Sequence, residues 1–205
     1  MTETPRRRTR NIAEKRERII AAAQILFTQR GYSQTSIKEI AERAEVAVGL
    51  VNRHFESKLK LFEAALIEAL THSSLASSER SSFGEQVAEV IFDRTRQVAT
   101  PAMTILSMED EDARRVTMKV VREYAIKPGA EWLGGPMAVE RAIYMNVLGL
   151  SLSLLDRLFN EDQTMTPQSL PVRWIVESMQ DAVAKIPACS DSPQETASED
   201  CSASQ

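Results

Sequence analysis

The chain has 205 residues, 43% of them hydrophobic and 26% charged, a composition that fits a packed domain and excludes fibrous or wholly disordered classes. Seven glycines, eight prolines and 5% aromatic residues argue against a turn-rich β-architecture, and the alanine-, leucine- and glutamate-rich runs favour helix. The two cysteines, Cys189 and Cys201, lie in the last seventeen residues and form neither a disulfide framework nor a CxxC metal site, so a reducing, cytoplasmic setting is expected.

The net charge of −4 hides an asymmetry. Residues 1–60 hold 13 Lys/Arg and 7 Asp/Glu, a balance of +6, which leaves 12 and 22, or −10, for residues 61–205. A basic front on an acidic body points to a polyanion partner at the front. No apolar h-region follows the basic start, so no signal peptide is read. The most apolar run, AIYMNVLGLSLSLL at 142–155, is too short to span a bilayer and reads as a buried helix.

In chain order, residues 1–11 read as a flexible basic arm whose Arg6, Arg7, Arg8 and Arg10 suit phosphate or the minor groove. Ile12, Ile19, Ile20, Ala23, Leu26 and Phe27 then share one helix face, and Gly31 supplies a stop. Ser36 with Glu39 makes a capping box for a second helix bearing Ile37, Ile40, Ala41 and Ala44. Glu45-Val46-Ala47 leads to a short helix, Val48–His54, and Ser57 caps a long one from Lys58 to about His72. The run SSLASSERSS at 73–82 marks the end of this unit. Further helices are expected at about 84–99, 102–107, 109–126, 137–159 and 170–186, with a glycine- and proline-bracketed loop around Trp132. The tail 188–205 reads as disordered and acidic. The fold class is all-α.

Two helices joined by so short a turn have the geometry of a helix-turn-helix, whose second helix enters the major groove while the first crosses the backbone. Ile40, Ala41, Val46, Val51 and Phe55 would form its small core, leaving Ala47, Gly49, Asn52 and Arg53 outward. Asn suits adenine and Arg suits guanine. The small residues Ala47 and Gly49 permit close approach, and Lys58 at a helix start suits phosphate.

These residues also carry a resemblance. The runs IIAAAQILFTQRGY, TSIKEIAERAEV and GLVNRHFESKLKLF resemble the N-terminal DNA-binding domain of the TetR family of bacterial transcriptional regulators. Gly31, Tyr32, Thr35, Ile37, Ile40, Ala41, Ala44, Val46, Gly49, His54, Phe55, Lys58 and Leu61 fit the family pattern. The match covers about a quarter of the chain. Two places depart from it: Glu45-Val46-Ala47 stands where the family has Gly-Val-Ser, and Asn52 stands where it has a tyrosine that contacts the DNA backbone. Loss of the glycine implies a less permissive turn, and Asn52 implies an atypical operator.

The resemblance implies a helix-turn-helix domain over 12–58 and a helical ligand-binding and dimerisation domain over 59–187. It implies DNA contacts from Thr35, Ser36, Ala47, Val48, Gly49, Asn52, Arg53, His54 and Lys58. A dimer interface is expected from Tyr144, Val147, Leu148, Leu155, Trp174, Ile175, Met179 and Val183, the first four on a helix apolar nearly all round. An effector pocket is expected from Phe92, Met103, Met118, Arg122, Tyr124, Trp132 and Asn146, with Arg94 and Glu123 as further polar candidates. The expected function is a homodimeric regulator, a repressor released from a palindromic operator by a small molecule. The alternative is a helical adaptor of the same fold that binds a protein. No cofactor or metal is expected: His54 and His72 form no catalytic constellation, and the acidic run 109–112 reads as helix capping.

Overall fold

A computed structural model describes residues 5–72, 79–93, 99–159 and 165–184. Among them the regular elements are all helical. In order they are α1 (Pro5–Arg30), α2 (Ile37–Arg43), α3 (Val48–Phe55), α4 (Lys58–His72), α5 (Phe83–Phe92), α6 (Ala99–Leu106), α7 (Glu111–Val121), α8 (Lys127–Leu133), α9 (Ala138–Phe159) and α10 (Leu170–Ala184). The tail from 188, most of the 73–82 loop and Arg94 lie outside the described residues.

Two boundaries correct the sequence reading. The expected arm is already helical from Pro5, so α1 runs through Arg6, Arg7, Arg8 and Arg10; proline is well placed in a first helical turn because its missing N–H has no partner to lose there. The expected loop around Trp132 is also helix. After α7 a π-helical turn, Arg122–Ile126, leads directly into α8, where Pro128 again occupies the first turn.

The N-terminal core forms because α1, α2, α3 and α4 each bring one apolar face to the same point. Ile19, Ile20, Ala23, Phe27, Ile40, Val51, Leu61, Phe62 and Leu66 are all buried. Phe62 meets Phe27 edge-on at 5.1 Å and Tyr32 at 5.4 Å, arrangements worth roughly 0.5–1.5 kcal/mol each beyond burial. This cluster continues into Met103 of α6 and into Ala113 and Val120 of α7. Two smaller clusters, around Phe83, Leu133 and Met145 and around Ala88, Leu152 and Met179, join α5, α8, α9 and α10.

Glycine is required at Gly31, where φ is +78° and an added Cβ would lie 3.1 Å from the Leu106 carbonyl oxygen. At Gly84 an added Cβ would stand 2.5 Å from the Val176 carbonyl oxygen, so α5 and α10 touch through backbone.

Arg141, on α9, is 7% exposed. Its Nε donates to the Ala182 carbonyl at 2.8 Å, its Nη2 to Val183 at 3.0 Å and its Nη1 to Gly134 at 3.2 Å. Those acceptors belong to the ends of α10 and α8, where carbonyls lack intrahelical partners and the helix dipole is negative. A guanidinium in place of a carboxylate-paired charge thus closes two helix ends at once.

Candidate nucleic-acid interface

The capping box forms as the spacing predicts: Ser36 Oγ accepts from the Glu39 amide at 3.2 Å, and Glu39 accepts from the Ser36 amide at 2.9 Å. Hydrogen bonds from Ser36, then the nearby Arg30 guanidinium at 2.7 Å, hold the Glu39 carboxyl below its ordinary range. Helix α2 ends in a Schellman arrangement, with Val46 N–H on the Ala41 carbonyl at 3.0 Å and Glu45 N–H on Glu42 at 3.1 Å. The residue forced left-handed there is Glu45, at φ +53°, where glycine is the unstrained choice. Arg18 of α1 braces this turn, donating to the Ala44 carbonyl and pairing with the Glu45 carboxylate at 3.0 Å.

Helix α3 buries Val51 and Phe55, one turn apart, against α2 and the long helices. That fixes the opposite face outward. Ala47, Val48, Gly49, Asn52 and Arg53 are exposed. Val48, at 41%, is a large apolar side chain left open, and nothing lies within 4 Å of where a Gly49 Cβ would stand. His54 is half-buried, its ring tilted against Phe55.

Two residues expected to contact DNA turn toward the chain itself. Thr35 is 2% exposed, and its hydroxyl donates to the Gly31 carbonyl at 2.7 Å, tying the end of α1 to the start of α2. Lys58 donates to the Tyr32 carbonyl at 3.0 Å with its ammonium 4.1 Å from the Tyr32 ring centroid. Burial lowers the Lys58 pKa, against a smaller opposing pull from Asp110. Ser36 stays exposed but its hydroxyl serves the capping box. Arg43, exposed in the last turn of α2, escaped the sequence reading; a cation on the helix that crosses the DNA backbone was the available signal.

The residues expected to line a pocket are not gathered together. Met103 is core beneath α1 and α4, while Met118 (60% exposed), Arg122 and Tyr124 face outward. Phe92 packs with Ala88 and Leu152, and Trp132 rests on Phe83 at 5.3 Å beneath the Arg80 guanidinium. Asn146 is half-buried on α9. A shallow, solvent-open depression of about 300 Å3 lies between α1 and α4, lined by Arg16, Ala64, Ile67, Glu68 and Thr71.

The expected dimer residues also divide. Tyr144, Val147 and Trp174 are exposed, but Met179 and Val183 are buried within the chain, and Leu148, Leu155 and Ile175 pack partly on its own third cluster. The open apolar stripe on α9 runs through Val139, Ile143, Val147, Leu154 and Leu158, with Leu170 and Trp174 beside it on α10. Among the described residues α9 is long and apolar enough to cross a membrane, yet Ala142, Met145 and Leu152 are buried against other helices of the chain. No group of three or more potential metal ligands occurs among the described residues.

A helix-turn-helix head with an exposed outer face is carried on a body of further helices, the architecture of helical DNA-binding proteins. Residues 19–65 match the tetR family of bacterial regulatory proteins. The probable HTH-type transcriptional regulator YttP of Bacillus subtilis is 32% identical over 117 residues, 54% of this chain and 51% of that protein. The HTH-type transcriptional repressor KstR of Rhodococcus jostii is 43% identical over 53 residues, 26% of this chain and 25% of the other. The chain therefore matches about half the length of the first relative and a quarter of the second. Among solved structures, NalD, the secondary repressor of the MexAB-OprM multidrug efflux pump in Pseudomonas aeruginosa, superposes with a TM-score of 0.55 at 22% identity, covering 85% of this chain and 98% of NalD. Residues 19–65 thus match the N-terminal domain of the tetR family, and the whole fold is of the same kind as that of NalD. The relatives are named as transcriptional regulators, not as enzymes.

Proposed function

We propose that the protein is a homodimeric DNA-binding transcriptional regulator, a repressor that leaves a palindromic operator when a small molecule binds its body. The observation that carries this reading is the outer face of α3: exposed residues with amide, guanidinium and methyl chemistry, held rigid by buried Val51 and Phe55. Ala47, Val48, Gly49, Asn52 and Arg53 meet base edges, with Ser36, His54 and Arg43 near the backbone. The repressor assignment follows the printed role of KstR. Two copies joined through the open stripe of α9 and Trp174 would set paired α3 helices about one helical turn apart on DNA, and such an apolar patch fits a partner surface better than water. The effector is assigned to the helical body that follows the reading head, α4 to α10. A cytoplasmic location fits this role. The adaptor alternative draws no support from relatives named as regulators.

The test is footprinting of the purified protein on promoter DNA across a salt series. A protected palindrome whose affinity falls steeply with salt supports the reading, because phosphate contacts release counterions. No protection at low salt overturns it.

A further inference from the structure

We infer that Asn52 and Val48 together read an A·T-containing step in each operator half-site, Asn52 at the major-groove edge of adenine and Val48 at the methyl of thymine. The assignment rests on the reading of α3 as a recognition helix. Val48 and Asn52 are four residues apart on one exposed face of α3, about 6 Å along the helix axis, a distance of one to two base pairs at 3.4 Å rise.

Asn52 is uncharged, so a backbone contact from it would be a neutral hydrogen bond that releases no counterion. Its amide offers one donor and one acceptor side by side, which match adenine N7 and N6–H2. An exposed valine gains nothing beside a phosphate, whereas the thymine methyl is the apolar feature the major groove offers. Neither side chain is needed by the fold: Val48 lies open to solvent, and the buried residues of α3 are Val51 and Phe55. Gly49 between them adds no bulk, and a Cβ there would meet nothing within 4 Å, so the base edges have access to both flanking side chains. Arg53, exposed one position further, remains available for guanine or phosphate.

The experiment selects binding sequences from random DNA with the full chain and with Asn52→Ala and Val48→Ala, each checked for unchanged thermal unfolding. The selected site is then rebuilt with 7-deazaadenine or with uracil in place of thymine. The wild type should lose about five- to 150-fold on replacement of one adenine by 7-deazaadenine or by another base, the range of one bidentate pair. Asn52→Ala should be indifferent to both changes. Uracil should weaken the wild type and not Val48→Ala. If Asn52→Ala weakens every sequence by the same factor, or if 7-deazaadenine penalises both proteins alike, Asn52 is a backbone contact and the assignment fails. If the wild type selects no sequence at all, the regulator reading itself fails, and this assignment with it.

Discussion

Gly49 offers the sharpest separation between folding and function. A glycine in a helix costs stability relative to alanine, through the freedom it restores to the unfolded chain. At Gly84, within α5, the Val176 carbonyl lies too close for any side chain and accounts for that cost. At Gly49 no atom lies within 4 Å of the missing Cβ, so Gly49→Ala introduces no clash in the free protein. The residue is second in α3, where the gain should be about 0.4–1 kcal/mol, or a rise in Tm of roughly 1–4 °C for a chain of this size. The same methyl would project from the face that carries Asn52 and Arg53, three and four residues on, and hold α3 away from the groove. Affinity for the operator should fall at least about tenfold, the loss of some 1.4 kcal/mol of contact. Thermal unfolding and anisotropy titration at one salt concentration read the two effects on the same preparation. A variant that is more stable and binds as tightly as wild type would refute the reasoning, because the glycine would then not be a point of approach.

Arg141→Met should destabilise the chain by about 3–5 kcal/mol in urea unfolding, since three carbonyls at helix ends, two of them in buried hydrogen bonds, lose a charged donor; Arg141→Lys should recover little, because a point charge cannot span the same fork. Glu63 accepts from Lys60 at 2.9 Å and Lys119 at 3.1 Å, and these bonds, the Lys60 one first, lower its pKa against the effect of burial. A lowered carboxyl stabilises above its unfolded value and loses that contribution as pH falls through the folded one, so the gap between wild type and Glu63→Gln, roughly 1 kcal/mol near neutrality, should close below about pH 4; a gap independent of pH would contradict the assignment. Glu45→Gly should raise stability by about 1 kcal/mol by relieving the left-handed backbone, less a few tenths for the exposed Arg18 pair, as read from the denaturation midpoint. Val147→Asp, in the middle of the open α9 stripe, should give a monomer in sedimentation equilibrium with weakened operator binding; a persistent dimer would move the interface elsewhere.

Local features were legible in the sequence. Ser36 and Glu39 need only their three-residue spacing to form a capping box, and Gly31 only its lack of a Cβ to end α1. Asp110 caps α7 as the acidic run suggested, accepting from the Ala113 amide at 2.9 Å. What periodicity could not fix was direction. Met103 and Met118 look alike in sequence, but α7 buries Ala113, Thr117 and Val120 and so turns Met118 out, while α6 turns Met103 in. On α10, spacing alone does not say which apolar residues serve the chain and which a partner; Met179 goes inward and Trp174 outward. Lys58 seemed a phosphate ligand because it begins a helix, yet its four-carbon stem lets the ammonium fold back onto Tyr32. The helix over 127–133 was missed because proline and glycine read as loop, although proline suits a first helical turn.

The boundary expected at residue 58 is not a boundary of packing, and this bears on how an effector could act. Buried residues of the head share one cluster with α6 and α7. Several contacts between head and body lie at the C-terminal end of α1: Leu106 of α6 abuts Gly31, and Arg157 of α9 donates to the carbonyls of Thr28 at 3.2 Å and Gln29 at 3.4 Å. Just beyond, Tyr32 carries Lys58, and both feel the charge of Asp110 at the start of α7. Close-packed interiors transmit displacement instead of absorbing it, so a ligand that shifts α6 or α9 must either carry α1 with it or break these contacts. Typical couplings of about 1–3 kcal/mol correspond to one or two such hydrogen bonds. Under the proposed effector mechanism, the end of α1 is one route by which a change in the body would reach α2 and α3.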